Sequence, residues 1–325
     1  MSGLSKAAAM AGPVFLSGDP AADRRAEFAE SLAAAGDLDG ACEVMAGALE
    51  LAPNWSAGWY RLGEWQEKAG RTEAADAAWA RCVEIDPADP LGAGPKRDLL
   101  RPEPLAESLP PAFVELLFDQ YAPRFEQSLV GKLGYRGPQL IMDALRATGF
   151  TRAGHALDLG CGTGLMGEYL RPVCGRLDGN DLSARMLAEA RRKGVYDRLD
   201  KADIARLEIG TERYDLIVAA DVFTYVGALE DIIAWCAGSL AETGWLAFTV
   251  EKGEDGVTLR DSRRFAHAPD YVRDLLAAAG FAGVSVSEGV MRRDRGTDIT
   301  SLCIIASRQP HGRLREGDGE ARETA

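Results

Sequence analysis

The sequence predicts an α/β domain with a parallel central sheet, preceded by an all-α unit of repeated helix pairs. Three observations carry this reading. A short apolar strand, His155 to Leu159, runs straight into a loop with glycine at 160, 162 and 164, and then into a helical stretch. Further on, apolar strand-like segments alternate with helical ones as far as Glu251, the pattern of a sheet wound with helices. Upstream, residues 22–89 repeat on themselves, with Pro53 and Pro87, Gly36 and Gly70, and Ala41 and Ala75 each 34 residues apart.

The glycine loop organises the rest. A backbone that turns sharply at the end of a strand and approaches a ligand closely is best built without a Cβ. Such a turn, feeding a helix whose N–H groups point back at the crevice, is where open α/β sheets bind cofactors. A dinucleotide fingerprint would be G-x-G-x-x-G, but here the third glycine, Gly164, comes one place early and Leu165 takes the required position, so NAD is disfavoured. The observed D-x-G-x-G-x-G, with Asp158, Gly160, Cys161, Gly162 and Gly164, resembles the first motif of class I S-adenosylmethionine (SAM) methyltransferases. That resemblance implies a Rossmann-like fold with a seven-stranded sheet whose last strand is antiparallel, and SAM as cofactor.

The later elements follow in the order this fold requires. A strand at Arg176 to Asp181 ends in a carboxylate 17 residues beyond Gly164, near the spacing of about 20 for an acid that accepts the ribose hydroxyls. Asp181 is the expected ribose ligand, with Leu182 and Met186 beside it. A helix N-cap is the competing role for Asp181, although Ser183 can cap unaided, and Asp178 sits mid-strand. The resemblance places an acid and an apolar neighbour at the third strand's end, Asp203 for the adenine amino group and Ile204 for the ring, where the bland alternative is a loop Asp. The fourth strand, from Tyr214, is apolar enough to be buried on both faces. The resemblance implies that its end, at Ala220, Asp221, Val222, Phe223, Thr224 and Tyr225, lies beside the transferring methyl. Enzymes of the resembled fold that methylate exocyclic amines often carry Asn or Asp, two prolines and an aromatic there; this chain has no proline there, which lowers an adenine or glutamine amine as acceptor.

Leu240 to Glu251 reads as a helix end, a glycine turn and a fifth strand. A helix from Tyr271 to Gly280 and strands near 284–290 and 299–306, forming an antiparallel sixth and seventh pair, complete the domain at 113–308. A sulfonium methyl is already electrophilic, so positioning and water exclusion supply most of the acceleration. If the acceptor must lose a proton, His267 is the candidate base, a role weighed against that of a packed side chain. Asp221 and Tyr225 are the other polar groups expected near the methyl.

In the repeated region, Trp59, Leu62, Gly63, Ala75, Trp79, Cys82 and Pro87 of the second copy fall on the tetratricopeptide (TPR) pattern, with Gln66 where tyrosine is usual. The first copy is weaker, with Phe28, Ala29, Leu32, Ala41, Met45, Ala48 and Pro53. Two repeats are few for a stack, so a third helix near Pro95 to Leu100 is expected as a cap on this unit, 22–100. Residues 101–112 are a proline-rich linker. Residues 1–21 read as a flexible start and 309–325 as a charged, disordered tail.

The stretch from Phe118 to Tyr135 resembles the lead-in of a bacterial group of TPR-carrying predicted SAM methyltransferases. This implies that Tyr121 and Phe125 fold over the cofactor, although aromatics there could equally be helix core. The expected activity is methyl transfer to a small-molecule, carrier-bound or protein acceptor, with the TPR unit docking a partner. The alternative is a catalytically silent SAM-binding adaptor.

The net charge of −13 disfavours nucleic acid. The basic stretches Arg260 to Arg264 and Arg292 to Arg295 could serve as a local RNA patch or simply a solvated face. Six scattered cysteines without a C-x-x-C pair imply neither a disulfide framework nor a metal site. With no apolar run of membrane-spanning length and a poor signal-peptide start, the expectation is a cytoplasmic protein.

Overall fold

The computed structural model describes residues 16–100, 108–294 and 296–311. Most of the expected flexible start, linker and tail lie outside these. The chain divides into two units between Val114 and Glu115.

The first unit is helical. Helices α1 (Pro20–Ala34), α2 (Leu38–Leu51), α3 (Ser56–Lys68) and α4 (Thr72–Ile85) form two antiparallel pairs, followed by the short α5 (Ala93–Asp98) where a capping helix was expected. Asp19 starts α1 by accepting the N–H groups of Ala21 and Ala22, and Asp37 starts α2 through Gly40. Small residues set the approach of each pair. Ala29, Ala41 and Ala48 are fully buried around Met45 and Trp65, and a Cβ on Gly63 would collide with the Trp79 indole. That indole donates to the Tyr60 carbonyl at 3.1 Å. Phe28, placed on the repeat pattern with core positions, is instead 58% exposed, because the α1 core face is made by Ala22, Ala26 and Ala29.

In the second unit the strands are β1 (Ala153–Leu159), β2 (Cys174–Asp181), β3 (Arg198–Lys201), β4 (Tyr214–Ala219), β5 (Leu240–Lys252), β6 (Val257–Leu259), β7 (Phe265–His267), β8 (Gly283–Asp294) and β9 (Thr297–Ser307). β3, β2, β1, β4 and β5 lie side by side and parallel. β9 runs antiparallel along the far edge of β5 and β8 pairs antiparallel with β9. The architecture is a Rossmann-like mixed sheet with helices on both faces.

Residues along β4 alternate between two cores, as a strand covered on both faces must. Leu216 and Val218 pack with Ile141, Met142 and Leu145 of α8 (Gly137–Ala147) and with Met166 and Leu170 of α9 (Leu165–Leu170). Ile217 and Ala219 pack with Ile232, Ile233 and Cys236 of α11 (Glu230–Ser239) and with Val272 and Leu276 of α12 (Pro269–Ala278).

Two expectations are corrected here. The sheet has nine strands rather than seven, because the chain from 257 to 267 forms an extra hairpin, β6–β7. β4 accompanies β5 only as far as Phe248, and β7 then pairs with Glu251 and Lys252, prolonging the parallel edge that β4 vacates. The glycine turn expected before the fifth strand is absorbed into it as a bulge. Tyr214 pairs with Leu240 and Leu216 with Trp245, so five steps of β5 oppose two of β4. Among the described residues no helix is long and apolar enough to cross a membrane, and all six cysteines are buried and free.

Candidate functional site

The carboxyl ends of the parallel strands carry the site. Gly160, Gly162 and Gly164 have φ of 68°, 56° and 89°, a left-handed path that disfavours any side chain. At Gly160 a Cβ would also lie 2.6 Å from Val222 Cγ2, so this glycine lets the end of β1 meet the residues that follow β4. At Gly162 a Cβ would meet nothing within 4 Å. The loop is open there, with space for a ligand.

Asp181, at the end of β2, bridges this loop to the start of α10 (Ala184–Lys193). Its Oδ2 accepts the Gly162 N–H at 2.9 Å and its Oδ1 accepts the Ser183 N–H at 2.8 Å. Ser183, not Asp181, caps α10 by accepting the Met186 N–H. Burial pushes the Asp181 carboxyl up to about 6, against the pull of those two N–H groups. Asp203 caps a single 3-10 turn through the Ala205 N–H at 3.0 Å, using one carboxylate oxygen. Ile204 is half-buried against the core beneath. Asp181, Leu182, Asp203, Ile204 and Ala220 thus stand at the ends of β2, β3 and β4, none of them fully buried. A half-buried carboxylate beside a side-chain-free loop fits a ribosyl cofactor.

Three expected cofactor contacts face inward instead. Asp158 is 1% exposed and accepts a hydrogen bond from the Tyr196 hydroxyl at 2.6 Å. Burial pushes its carboxyl up to about 7; the Tyr196 bond opposes the shift and the Asp181 charge adds to it. Asp158 therefore supports the loop from below. Cys161 packs its thiol against Leu187 and Ala190, leaving only its backbone in the loop. Met186, 1% exposed, belongs to the interior of α10.

The lead-in segment closes over the loop's flank. It consists of the carboxyl-terminal part of α6 (Pro111–Tyr121), a 3-10 turn and α7 (Phe125–Leu129). Asp119 accepts from the Ser183 hydroxyl, and Glu126 accepts from Thr163 Oγ1 at 2.7 Å and pairs with Lys193 at 2.8 Å. Tyr121 is 43% exposed, whereas Phe118 stacks edge-on to both Phe125 and Tyr225.

Among the candidate catalytic groups, His267 is corrected. His267 ends β7, just before the Ala268 cap of α12. It is fully buried and stacked on Tyr271, with Nε2 2.9 Å from the Gly227 carbonyl oxygen. Burial holds its pKa below the usual histidine value. It is a packed side chain. Asp221 and Tyr225 do lie together at the end of β4, but both are engaged by arginine. Arg264 Nη1 donates to the Tyr225 hydroxyl at 2.6 Å and its Nη2 to Asp221.

Sequence reasoning missed three supports of the loop. Tyr196 holds Asp158, and its ring lies where a Cβ on Gly164, Gly167 or Gly179 would go. Asn180 accepts the Gly160 N–H at 3.1 Å. Thr163 ties the loop to Glu126. Of these only Asn180, adjacent to Asp181 on β2, left a signal in the sequence.

Residues 157–248 match the family model for a methyltransferase domain. This part of the second unit is therefore similar to methyltransferase domains. Over 151 residues the chain is 32% identical to malonyl-[acyl-carrier protein] O-methyltransferase of Enterobacter lignolyticus, covering 46% of this chain and 58% of that protein. Over 101 residues it is 32% identical to ubiquinone biosynthesis O-methyltransferase of Burkholderia multivorans, covering 29% of this chain and 43% of that protein. The chain thus spans about half the length of these curated relatives. Among solved structures, the magnesium protoporphyrin IX methyltransferase of Synechocystis with bound S-adenosylhomocysteine (SAH) is 20% identical, covers 61% of this chain and 99% of its own, and has a TM-score of 0.48.

Proposed function

We propose that this protein transfers a methyl group from SAM to an oxygen of a small or carrier-bound acceptor. The observation that carries the reading is the pairing of an open glycine loop with the Asp181 carboxylate, whose oxygens are aligned by Gly162 and Ser183 at the end of β2. Asp181 would accept the ribose hydroxyls, the second oxygen of Asp203 the adenine amino group, and Ile204 would lie on the ring. When bound, SAM supplies an electrophilic sulfonium methyl. The chain's own share is to orient it towards the end of β4 and to exclude water with Phe118, Phe125 and Tyr121. Acceptance at oxygen draws on the two relatives named as O-methyltransferases, one of which acts on a carrier-bound acyl group.

The helical unit fits this reading as a docking element for a carrier or other protein. Its two helix pairs carry the 34-residue sequence repeat that resembles the TPR pattern, and they expose Phe28 and Leu51.

Calorimetric titration with SAH, in parallel with Asp181→Ala, tests the cofactor. Binding that collapses in the variant supports the reading, and a wild-type protein that ignores SAH ends it. Methyl transfer from labelled SAM to carrier-bound acids, small acids and phenols then tests the acceptor, and a Phe28→Asp variant that loses only carrier-bound turnover would support docking.

A further inference from the structure

The arginines of the two basic stretches converge at the end of β4. Arg260 and Arg264 arrive on the β6–β7 hairpin and Arg292 near the end of β8. Glu251, whose side chain is 2% exposed, accepts from Arg264 Nε at 2.7 Å, Arg292 Nη2 at 2.6 Å and Arg260 Nη1 at 3.0 Å. Asp221 accepts from Arg264 Nη2 and lies 3.5 Å from Arg292 Nη1. Burial works to raise the Glu251 pKa, but the Arg264 and Arg292 charges outweigh it and hold it low.

We propose that Arg260, Arg264 and Arg292 form an anion subsite that receives a carboxylate of the methyl acceptor, and that an oxygen of this carboxylate takes the methyl. The proposal deepens the methyltransferase reading and rests on it. Four features carry it. Three guanidinium groups meet two carboxylates, so the cluster holds one positive charge in excess, with the side chains of Arg264 and Arg292 largely buried and that of Arg260 open to solvent at 39% exposure, and a bound anion would offset it. The Nη1 of Arg292 sits at the limit of hydrogen bonding to both Asp221 oxygens, and a better-placed carboxylate would use it. Asp221 itself, at φ 62°, occupies a backbone region unusual for a non-glycine residue, with its N–H held by Thr249 Oγ1 at 2.9 Å. Such strain gathers at working sites. Finally, Val222, next in the chain, abuts Gly160, which puts the cluster beside the cofactor loop.

The chemistry agrees with the surroundings. Among the described residues at this end of β4, the titratable groups are charge-paired or packed, as with Asp221, Glu251 and His267, so an acceptor needing deprotonation is poorly served. A carboxylate is already ionised. Its oxygen lone pair forms the new O–CH3 bond while the S–CH3 electron pair returns to sulfur. The products are a methyl ester and SAH, with no proton to move. The ester no longer carries the charge the arginines hold, which favours its release.

The test titrates monoethyl malonate and, as a neutral control, diethyl malonate into the full chain, each with and without saturating SAH. The half-ester should bind about tenfold or more tightly than the diester, as expected for a hydrogen-bonded charge. Arg260→Gln, a partly exposed position, removes the excess charge and should weaken half-ester binding about tenfold. Asp221→Asn, a residue that tolerates positive φ, raises the excess and should tighten it. SAH affinity should hold in both variants. A structural ion network would not give opposite signs. Equal binding of half-ester and diester, or the two variants moving in the same direction, would overturn the proposal. Loss of SAH binding in the wild type would sink the methyltransferase reading separately, and half-ester binding by such a protein would overturn the acceptor role.

Discussion

The buried pair Asp158–Tyr196 makes stability depend on pH in a direction opposite to that of most carboxylates. Burial moves the Asp158 carboxyl from 3.8 to about 7, a shift of roughly 3 units, or about 4 kcal/mol at 1.36 kcal/mol per unit. The folded value lies above the unfolded one. The stabilising contribution is therefore full below about pH 4, where both states hold the proton, and is lost as pH rises through about 7. Asp158→Asn keeps an acceptor for the Tyr196 hydroxyl and removes the titration. Urea unfolding of both proteins, read by proteolysis of the second unit at pH values from 4 to 8, gives the difference directly, since other groups titrate in both. The wild type should lose up to about 4 kcal/mol relative to the variant across that range, a large part of a typical domain's stability. Parallel curves would show that Asp158 is ionised in the fold, and would refute the account of it as a buried support of the glycine loop.

Three further outcomes follow from the same structure. Asp181→Ala should weaken SAH binding about 100-fold or more, as two hydrogen bonds to a charged acceptor are lost; calorimetry that finds wild-type affinity would remove Asp181 from the cofactor site. Gly160→Ala forces a Cβ into the left-handed region at a cost of about 1–2 kcal/mol and into Val222, so both thermal stability and SAH affinity should fall, and an unchanged melting temperature would contradict the loop geometry. Trp79→Ala empties the second helix pair and should destabilise the first unit by about 3–5 kcal/mol while leaving SAH affinity intact; a parallel loss of SAH binding would show that the second unit depends on the first.

The parts of the site legible in the sequence were those with a local backbone demand. Glycines at alternate positions mark left-handed turns whatever surrounds them, and a strand that ends in Asp181 at a set distance from the loop needs only counting. The unreadable parts depend on partners far along the chain. Tyr196 reaches Asp158 across 38 residues, and nothing in the composition near Tyr196 announces it. The strands of the β6–β7 hairpin are three residues each, too short for alternation to show, so Arg260 to Arg264 looked like a solvated face. Their partners, Asp221 and Glu251, lie on β4's end and β5. His267 misled for a related reason. Its place before a helical run left a catalytic base and a packed side chain both open, and pairing with β5 and β6 draws β7 inside.

The charges along the open edge of the sheet are segregated in the sense that methyl transfer would use. The acids Asp181 and Asp203 stand at the ends of β2 and β3, where a sulfonium-bearing cofactor would lie, and the three arginines stand beyond β4 and β5, where the acceptor would enter. A protein of net charge −13 attracts a cationic cofactor through its whole field and repels an anionic acceptor through the same field. The local arginine excess would reverse that repulsion over a few ångströms. When a carboxylate takes the methyl, the positive charge on sulfur and the negative charge on oxygen disappear together. The transition state then needs little stabilisation of developing charge, and the work left to the protein is to bring two oppositely charged partners into line. Under this proposal the end of β4 can be built from paired charges and packed rings, with His267 committed to the core.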